Sequence, residues 1–183
     1  WRIVDGRHIQ PGDVILALPS SGLHTNGYSL ARKVLLDQAA LKLAQHIPEL
    51  GRTLGEELLV PHRCYWPVVR PLLAQGLLKG LVHVTGGGIT DNTPRILPAG
   101  CQAEIHLGSW RVLPIFELVA RLGAVPQDDM LRTFNMGVGL LIVVAGRDVG
   151  RVSIALKKRR EKFWVVGRVV SGGVSAICPV GSS

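Results

Sequence analysis

The feature that most constrains the fold of this chain is a short apolar run that leads directly into a polar turn bounded by glycines. The run VILALP at residues 14–19 contains β-branched residues and has the length of a buried strand. The turn SSGLHTNG follows, and from Tyr28 onward apolar residues recur at helical spacing, with Asn26 or Ser29 as the predicted N-cap. The pattern predicts a strand, a turn and a helix in immediate succession.

The same order returns in the middle of the chain. The run LVHV at residues 81–84 predicts a second short strand, and the three glycines of TGGG follow it. A helix is predicted after them, with its cap among residues 90–92 and Pro94 in its first turn. The chain therefore contains two units of the same local design.

Further strands and helices follow without the regular alternation of a doubly wound parallel sheet. Helical periodicity is present in HRCYWPVVRPLLAQGLL, WRVLPIFELVARLGAV and VSIALKKRREK. Strand patterns are present in QAEIHL and FWVVGRVV, and MLRTFNMGVGLLIVVAG passes from a polar turn into a strand. The sequence therefore predicts one domain of the α+β class.

The hydropathy pattern argues against a membrane protein. The longest apolar stretch, GLLIVVAG at residues 139–146, is far shorter than the roughly 18 to 20 residues of a membrane span. We predict no membrane segment and, from the opening residues, no secretory signal. Cys64, Cys101 and Cys178 are odd in number and widely spaced, which favours a reducing cytoplasm over a disulfide framework or a zinc site.

The net charge of +8 raises the question of a nucleic-acid partner, with the basic run KKRREKFW at residues 157–164 as the densest patch. Such a run after an apolar segment is more often the solvated end of a helix, where cations interact favourably with the helix dipole. Only 5% of the residues are aromatic, which leaves little for a base-stacking surface. We predict no nucleic-acid partner, and the positive field equally favours an anionic small substrate such as a phosphate ester.

The first turn has the chemistry of an anion-binding site. A strand, a turn of small residues and a helix bring unpaired backbone N–H groups and the positive end of a helix dipole to one place. His24 adds a ring donor, and the other groups able to bind or to shape the turn are Ser20, Ser21, Gly22, Thr25, Asn26 and Gly27. On spacing alone, a well-capped helix with a polar surface loop explains the turn equally well.

The glycines Gly86, Gly87 and Gly88 cost conformational entropy, which close approach of a ligand or tight packing between backbone segments must offset. The segment is not a P-loop, because no GK[ST] follows. The sequence contains neither HExxH nor a GxSxG elbow, and no paired carboxylates at helical spacing. We therefore predict neither a hydrolase nor a metalloenzyme contained in this chain alone, and we assign no metal ligand.

Three segments carry a resemblance to a known family. DGRHIQPGDVILALPSSGLHTNGYSLARKVL, HVTGGGITDNTPRILP and RTFNMGVGLLIVV resemble, in order and spacing, the C-terminal half of the phosphoribosylformylglycinamidine cyclo-ligases, also called aminoimidazole ribonucleotide synthetases. The resemblance runs from about Asp5 to VVGRVVSGG near the end. A GxHxNG turn occurs across the wider superfamily, whereas RTFNMGVG resembles the cyclo-ligases in particular. The resemblance implies a single α/β sandwich domain with a mixed sheet covered by helices.

The resemblance also implies an activity. The family closes a ring in purine biosynthesis: formylglycinamidine ribonucleotide and ATP give aminoimidazole ribonucleotide, ADP and phosphate. The amide oxygen is activated by phosphoryl transfer, and the amidine nitrogen then attacks. Such chemistry depends on positioning and charge stabilisation. The implied ligands are the phosphoribosyl substrate, ATP and Mg²⁺, the last two held mainly by a preceding domain.

That preceding domain, which forms the dimer core in the family, has no counterpart in this sequence. We therefore expect residues 1–12 to be an interdomain lead-in and residues 13–183 to be a C-terminal domain lining a substrate and ATP cleft. The full-length enzyme is expected to be a cytoplasmic homodimer, and the isolated chain to be inactive. The alternative is a non-catalytic phosphate-ligand-binding or interaction domain of the same superfamily, or half of a related ATP-using synthetase.

By resemblance, His24 and Asn26 lie in the active-site cleft, where His24 orients or polarises the activated amide or its phosphate. Contacts with substrate or ATP are expected from all three segments, namely from Ser20, Ser21, Gly22, Thr25, Gly86, Gly87, Gly88, Thr133, Asn135 and Gly137. His83 is expected to pack in or beside a strand.

Overall fold

The computed structural model describes residues 3–172 and the backbone of residues 176–179. Within these residues the strands are β1 (Val14–Pro19), β2 (His46–Ile47), β3 (Arg52–Thr53), β4 (Gly80–His83), β5 (Cys101–Leu107), β6 (Val138–Val144), β7 (Trp164–Ser171) and β8 (Ala176–Pro179). Six of them form one sheet in the order β4, β6, β1, β7, β5, β8, and β2 pairs with β3. The pairs are antiparallel except for β5 and β8, so the expected mixed sheet is confirmed.

Helices cover this sheet. They are α1 (Tyr28–Arg32), which continues as a π-helix over Lys33–Gln38, α2 (Leu54–Leu58), α3 (Trp66–Ala74), α4 (Gly88–Asn92), α5 (Pro114–Gly123), α6 (Gln127–Thr133) and α7 (Val149–Lys158). No helix in this part of the chain is long and apolar enough to cross a bilayer. The basic run predicted at a helix end begins in the last turn of α7.

The neighbouring strands β1 and β6 are apolar throughout, because both faces of the sheet are buried there. Along β1, Ile15 packs into one core and Leu16 into the other, following the two-residue period of a strand. The second core also contains buried residues of α3 and α7, such as Leu72 and Leu156. A third core joins α1, α2, α5 and α6 beside the sheet. The α+β class is therefore confirmed, with the sheet as the central layer.

The predicted N-caps of α1 and α4 are wrong, although α1 begins at Tyr28, where the helical periodicity begins. The N-caps are Gly27 for α1 and Gly87 for α4, each in the left-handed conformation and without a side-chain cap. Both helices directly follow a turn with positive φ, which glycine adopts at little cost. The sequence also gave no indication of α6, whose seven residues are too few for a clear helical period.

Part of the predicted lead-in packs against the rest of the chain. Ile9 is 4% exposed in the first core, and the buried carboxylate of Asp13 accepts hydrogen bonds from Lys79 Nζ at 2.7 and 2.8 Å. The division of the chain at residue 13 stays a prediction.

Candidate active site

Three segments of the chain meet at one edge of the sheet. Both β1 and β4 pair antiparallel with β6, so they run parallel to each other and end at the same edge, where β6 begins. Pro19 at the end of β1 pairs with Val138, and His83 at the end of β4 pairs with Leu140. The three segments that carry the family resemblance therefore converge, although they are far apart in the sequence.

The turn after β1 is held by its own polar side chains. His24 and Thr25 have φ of 55° and 63°, which is uncommon for residues other than glycine. The carbonyl oxygen of His24 accepts hydrogen bonds from Thr25 Oγ1 at 2.5 Å and from Asn26 Nδ2 at 2.8 Å. These contacts fix a turn in which Thr25 is exposed and Asn26 half-buried.

The predicted site residues Ser20 and Asn135 lie inside the structure. Asn135 is fully buried, and its Oδ1 accepts from Ser20 Oγ and from Gly137 N–H, each at 2.8 Å. Its Nδ2 donates to the carbonyl oxygens of Gly22 and Leu23 at 2.9 and 3.2 Å. Asn135 therefore ties the turn after β1 to the start of β6, and its amide is fully used in doing so.

The ring of His24 is buried and neutral. It is 1% exposed, and its Nε2 lies 2.9 Å from the backbone N–H of Ser21, which donates to it. The proton of the neutral ring is then on Nδ1, which is buried and has no hydrogen-bond partner among the described residues. Burial lowers the pKa of His24 to about 4, and the neighbouring charges of His62, His83 and Arg63 act in the same direction.

Two further histidines lie beside His24. The exposed ring of His62 stacks on the His24 ring, with centroids 3.9 Å apart, and its Nε2 lies 3.0 Å from Nε2 of His83. Partial desolvation of the ring and the charge of His62 lower the pKa of His83. His83 lies in β4 as expected, but its side chain is exposed and contacts His62.

The segment before α3 supplies residues that the sequence analysis missed. Tyr65 donates from its hydroxyl to the Pro19 carbonyl at 2.8 Å, and burial raises the pKa of its phenol. Arg63 donates to the same carbonyl at 3.3 Å and pairs with Glu161. The motif PHRCY in this segment contains a histidine, a cation and an aromatic ring, but nothing in its spacing indicates that it lies against the end of β1.

The glycine turn after β4 packs closely against α6. A Cβ on Gly88 would overlap the Leu131 carbonyl oxygen, so this glycine allows close contact with α6. The buried Asn92 donates to the carbonyl oxygens of Gly86 and Gly88 at 3.1 and 2.8 Å and holds the turn in place. Of the two explanations that the sequence left open for these glycines, backbone packing accounts for Gly88.

Of the other predicted site residues, some are exposed at the turns and some are buried. Gly86 is exposed, and a Cβ built on it would lie 3.7 Å from Asn26 Oδ1, so the two turns adjoin. Gly137, with φ of 97°, packs against the Arg111 carbonyl. The remaining four are half-buried or buried around these turns: Ser21, Gly22, Gly87 and Thr133.

Comparisons with known proteins identify the family. The family model described as AIR synthase related protein, C-terminal domain, matches residues 10–178. Proteins named phosphoribosylformylglycinamidine cyclo-ligase from Brevibacillus brevis and Myxococcus xanthus are 46% and 49% identical, over 93% of this chain and 49% of their own length. The chain thus spans about half the length of the curated relatives it matches.

Solved structures share the fold at low sequence identity. A thiamine-monophosphate kinase from Stenotrophomonas maltophilia matches with a TM-score of 0.63 at 19% identity, over 95% of this chain and 52% of its own. The E. coli hydrogenase maturation protein HypE matches with a TM-score of 0.61 at 20% identity, over 97% of this chain and 50% of its own. The family model, the identity to the curated relatives and the convergence of the three segments agree. The chain belongs to the family of AIR synthase related proteins and corresponds to their C-terminal domain.

Proposed function

We propose that this chain is the C-terminal half of an ATP-dependent cyclo-ligase that converts formylglycinamidine ribonucleotide to aminoimidazole ribonucleotide in purine biosynthesis. The observation that carries the proposal is the 46% identity over 93% of the chain to a relative named phosphoribosylformylglycinamidine cyclo-ligase. The geometry supports it, since the turns after β1 and β4 adjoin at the edge of the sheet.

The proposed reaction needs no nucleophilic side chain. The amide oxygen of the substrate attacks the γ-phosphorus of ATP, and ADP leaves. The amidine nitrogen then attacks the activated carbon, and phosphate departs with the former amide oxygen while the nitrogen loses a proton. A protein accelerates such steps by holding the reacting atoms together and by stabilising the charge that develops on oxygen.

His24 is suited to stabilising the charge that develops on oxygen. Its Nδ1–H is a donor without a partner in the described structure, and an oxyanion of the substrate or of its phosphate is the acceptor that it lacks. Because the ring is neutral at pH 7, it acts as a hydrogen-bond donor rather than as a fixed charge. The exposed His62 covers the ring, so a turn of the His62 side chain gives the substrate access to it.

The other proposed site residues act in two ways. Asn26, Thr25 and Gly86 lie where the two turns adjoin, and we assign contacts with the substrate to them. Ser20 and Asn135 act as positioning residues, because their polar groups already bind each other and the backbone.

Mg²⁺ does not fit the cluster of His24, His62 and His83, because Mg²⁺ prefers oxygen ligands and the cluster supplies nitrogen. We therefore assign the Mg²⁺ that accompanies ATP, and most of the ATP contacts, to a preceding domain of the full-length enzyme. With that domain we expect a homodimer. Cys64 and Cys101 are free thiols, which agrees with a reducing cytoplasm.

The test is to join the chain to a preceding domain, either its own or that of the Brevibacillus brevis relative, and to assay ATP-dependent formation of the product. We expect turnover, and a loss of about 100-fold in kcat for His24→Ala, the size of effect found when a donor to a developing oxyanion is removed. His46→Ala, at an exposed histidine in β2, is the matched control. If the two domains are folded and associated but produce nothing, while a phosphorylated ligand still binds saturably, the non-catalytic alternative is correct.

A further inference from the structure

Three histidines from separate segments meet at the mouth of the candidate active site. His24 lies in the turn after β1, His62 precedes α3 and His83 ends β4. One ring nitrogen of each lies within 4.8 Å of the other two. The three residues follow no metal-binding spacing in the sequence, so no metal ligand was predicted among them.

The geometry of the exposed pair fits a metal ion. Nε2 of His62 and Nε2 of His83 are 3.0 Å apart, and the two rings are tilted by 60°. Nitrogen ligands about 2.1 Å from one ion are about 3.0 Å apart when they meet at a right angle, and about 3.4 Å apart in a tetrahedron. An ion therefore fits between these two atoms with a shift of a few tenths of an ångström.

Neighbouring polar groups leave this position open. Arg63, which follows His62 in the chain, has its guanidinium directed to Glu161 and to the Pro19 carbonyl. The hydroxyl of Tyr65 donates to the same carbonyl. Since His62 and His83 are both exposed, an ion and its water ligands can reach them from solvent.

His24 contributes differently from the other two. Its ring is nearly parallel to that of His62, at an interplanar angle of 19°, so the two rings do not direct their in-plane lone pairs at one point. Its Nε2 is occupied by the N–H of Ser21. The His24 ring therefore stacks against the His62 ring and is not itself a ligand in this arrangement.

We propose that His62 and His83 bind one divalent transition-metal ion through their Nε2 atoms, at the mouth of the candidate active site. Imidazole nitrogen favours Zn²⁺, Ni²⁺ and Cu²⁺ over Mg²⁺. Water, or an oxygen of a bound molecule, completes the coordination. Binding of the ion requires only these two side chains, so it can be measured without the cyclo-ligase reaction.

Zn²⁺ titration of the purified 183-residue chain by calorimetry tests the site, with Mg²⁺ as the comparison ion. We expect saturable binding of one Zn²⁺ and at least a tenfold weaker affinity in both His62→Ala and His83→Ala. His46→Ala, at an exposed histidine in β2, and His24→Gln are expected to stay within about threefold of the unmodified chain. Circular dichroism shows whether each variant is folded.

A second measurement does not depend on the heat signal. Because an ion that binds only the folded chain stabilises it, Zn²⁺ should raise the melting temperature of the unmodified chain and of His46→Ala, but not of folded His62→Ala or His83→Ala. Equal Zn²⁺ affinity in the unmodified chain and in both alanine variants would overturn the proposal, since binding would then be adventitious. A loss in His24→Gln as large as that in His62→Ala would overturn the assignment of two ligands.

Discussion

At the scale of single residues, the site depends on where each polar atom finds a partner. Asn135 and Asn26 are both asparagines in predicted ligand-binding segments, but the amide of Asn135 is fully used inside the turn, whereas Asn26 is half-buried beside Gly86. The sequence places both residues near the site, and it does not distinguish them because burial depends on contacts with distant segments.

The buried neutral His24 makes the stability of the chain depend on pH. Its pKa is about 4 in the folded chain and 6.5 when exposed, so the unfolded chain takes up the proton first as the pH falls. The stability gained from keeping this ring neutral is complete above pH 6.5 and is lost as the pH falls from about 6.5 to about 4.

Urea denaturation at several pH values between 4 and 7 measures this effect. We expect the free energy of unfolding of His24→Gln to fall less steeply with decreasing pH than that of the unmodified chain. His8→Gln, at an exposed histidine, should retain the steep dependence. Parallel curves for the unmodified chain and His24→Gln would show that His24 is not the group responsible.

At the scale of secondary-structure elements, strands were predicted better than helix boundaries. The runs VILALP and FWVVGRVV contain strands as predicted, because β-branched apolar residues favour a strand that packs at least one face into a core. The N-caps of α1 and α4 were mispredicted, because left-handed glycines replace side-chain caps there. The need for glycine at these positions comes from contacts between elements, and a local sequence pattern does not contain those contacts.

Gly88 tests the contact between α4 and α6. Gly88→Ala would place a methyl group against the Leu131 carbonyl oxygen at a φ of +59°, so we expect it to lower the free energy of unfolding by about 2 to 5 kcal/mol. Gly76→Ala is the matched control, because Gly76 has a φ of +65° but nothing within 4 Å of an added Cβ. It should cost about 1 to 2 kcal/mol. Equal costs, measured by urea denaturation, would contradict the proposed overlap.

At the scale of the whole molecule, a buried ion pair joins the residue before β1 to the residue before β4, which is an outer strand of the sheet. Asp13 precedes β1 with its side chain 3% exposed, and Lys79 precedes β4 with 20% exposed. Removal of one partner leaves the other charge partly buried and unpaired, so we expect Asp13→Ala to lower the free energy of unfolding by about 3 kcal/mol.

A double-mutant cycle with Lys79→Met separates the pair energy from other effects of the substitutions. We expect a coupling of about 1 to 3 kcal/mol that changes little with salt. The exposed pair Arg121 and Glu49, with side chains 59% and 52% exposed, serves as the comparison and should couple by less than about 1 kcal/mol. Similar couplings in the two cycles would mean that burial of Asp13 does not strengthen its pair.

The sequence by itself determined the main strands, the two glycine-bounded turns and the family, because these depend on local apolar patterns and on motifs read in order along the chain. The tertiary structure decided which polar residues face one another. It brought His62 and Tyr65 to the turn that contains His24. It also buried Asn135, whose amide binds Ser20 and the Gly22 carbonyl instead of a ligand. The physical reason is that antiparallel pairing of β1 and β4 with β6 brings the ends of distant segments to one edge of the sheet, and no local spacing specifies that pairing.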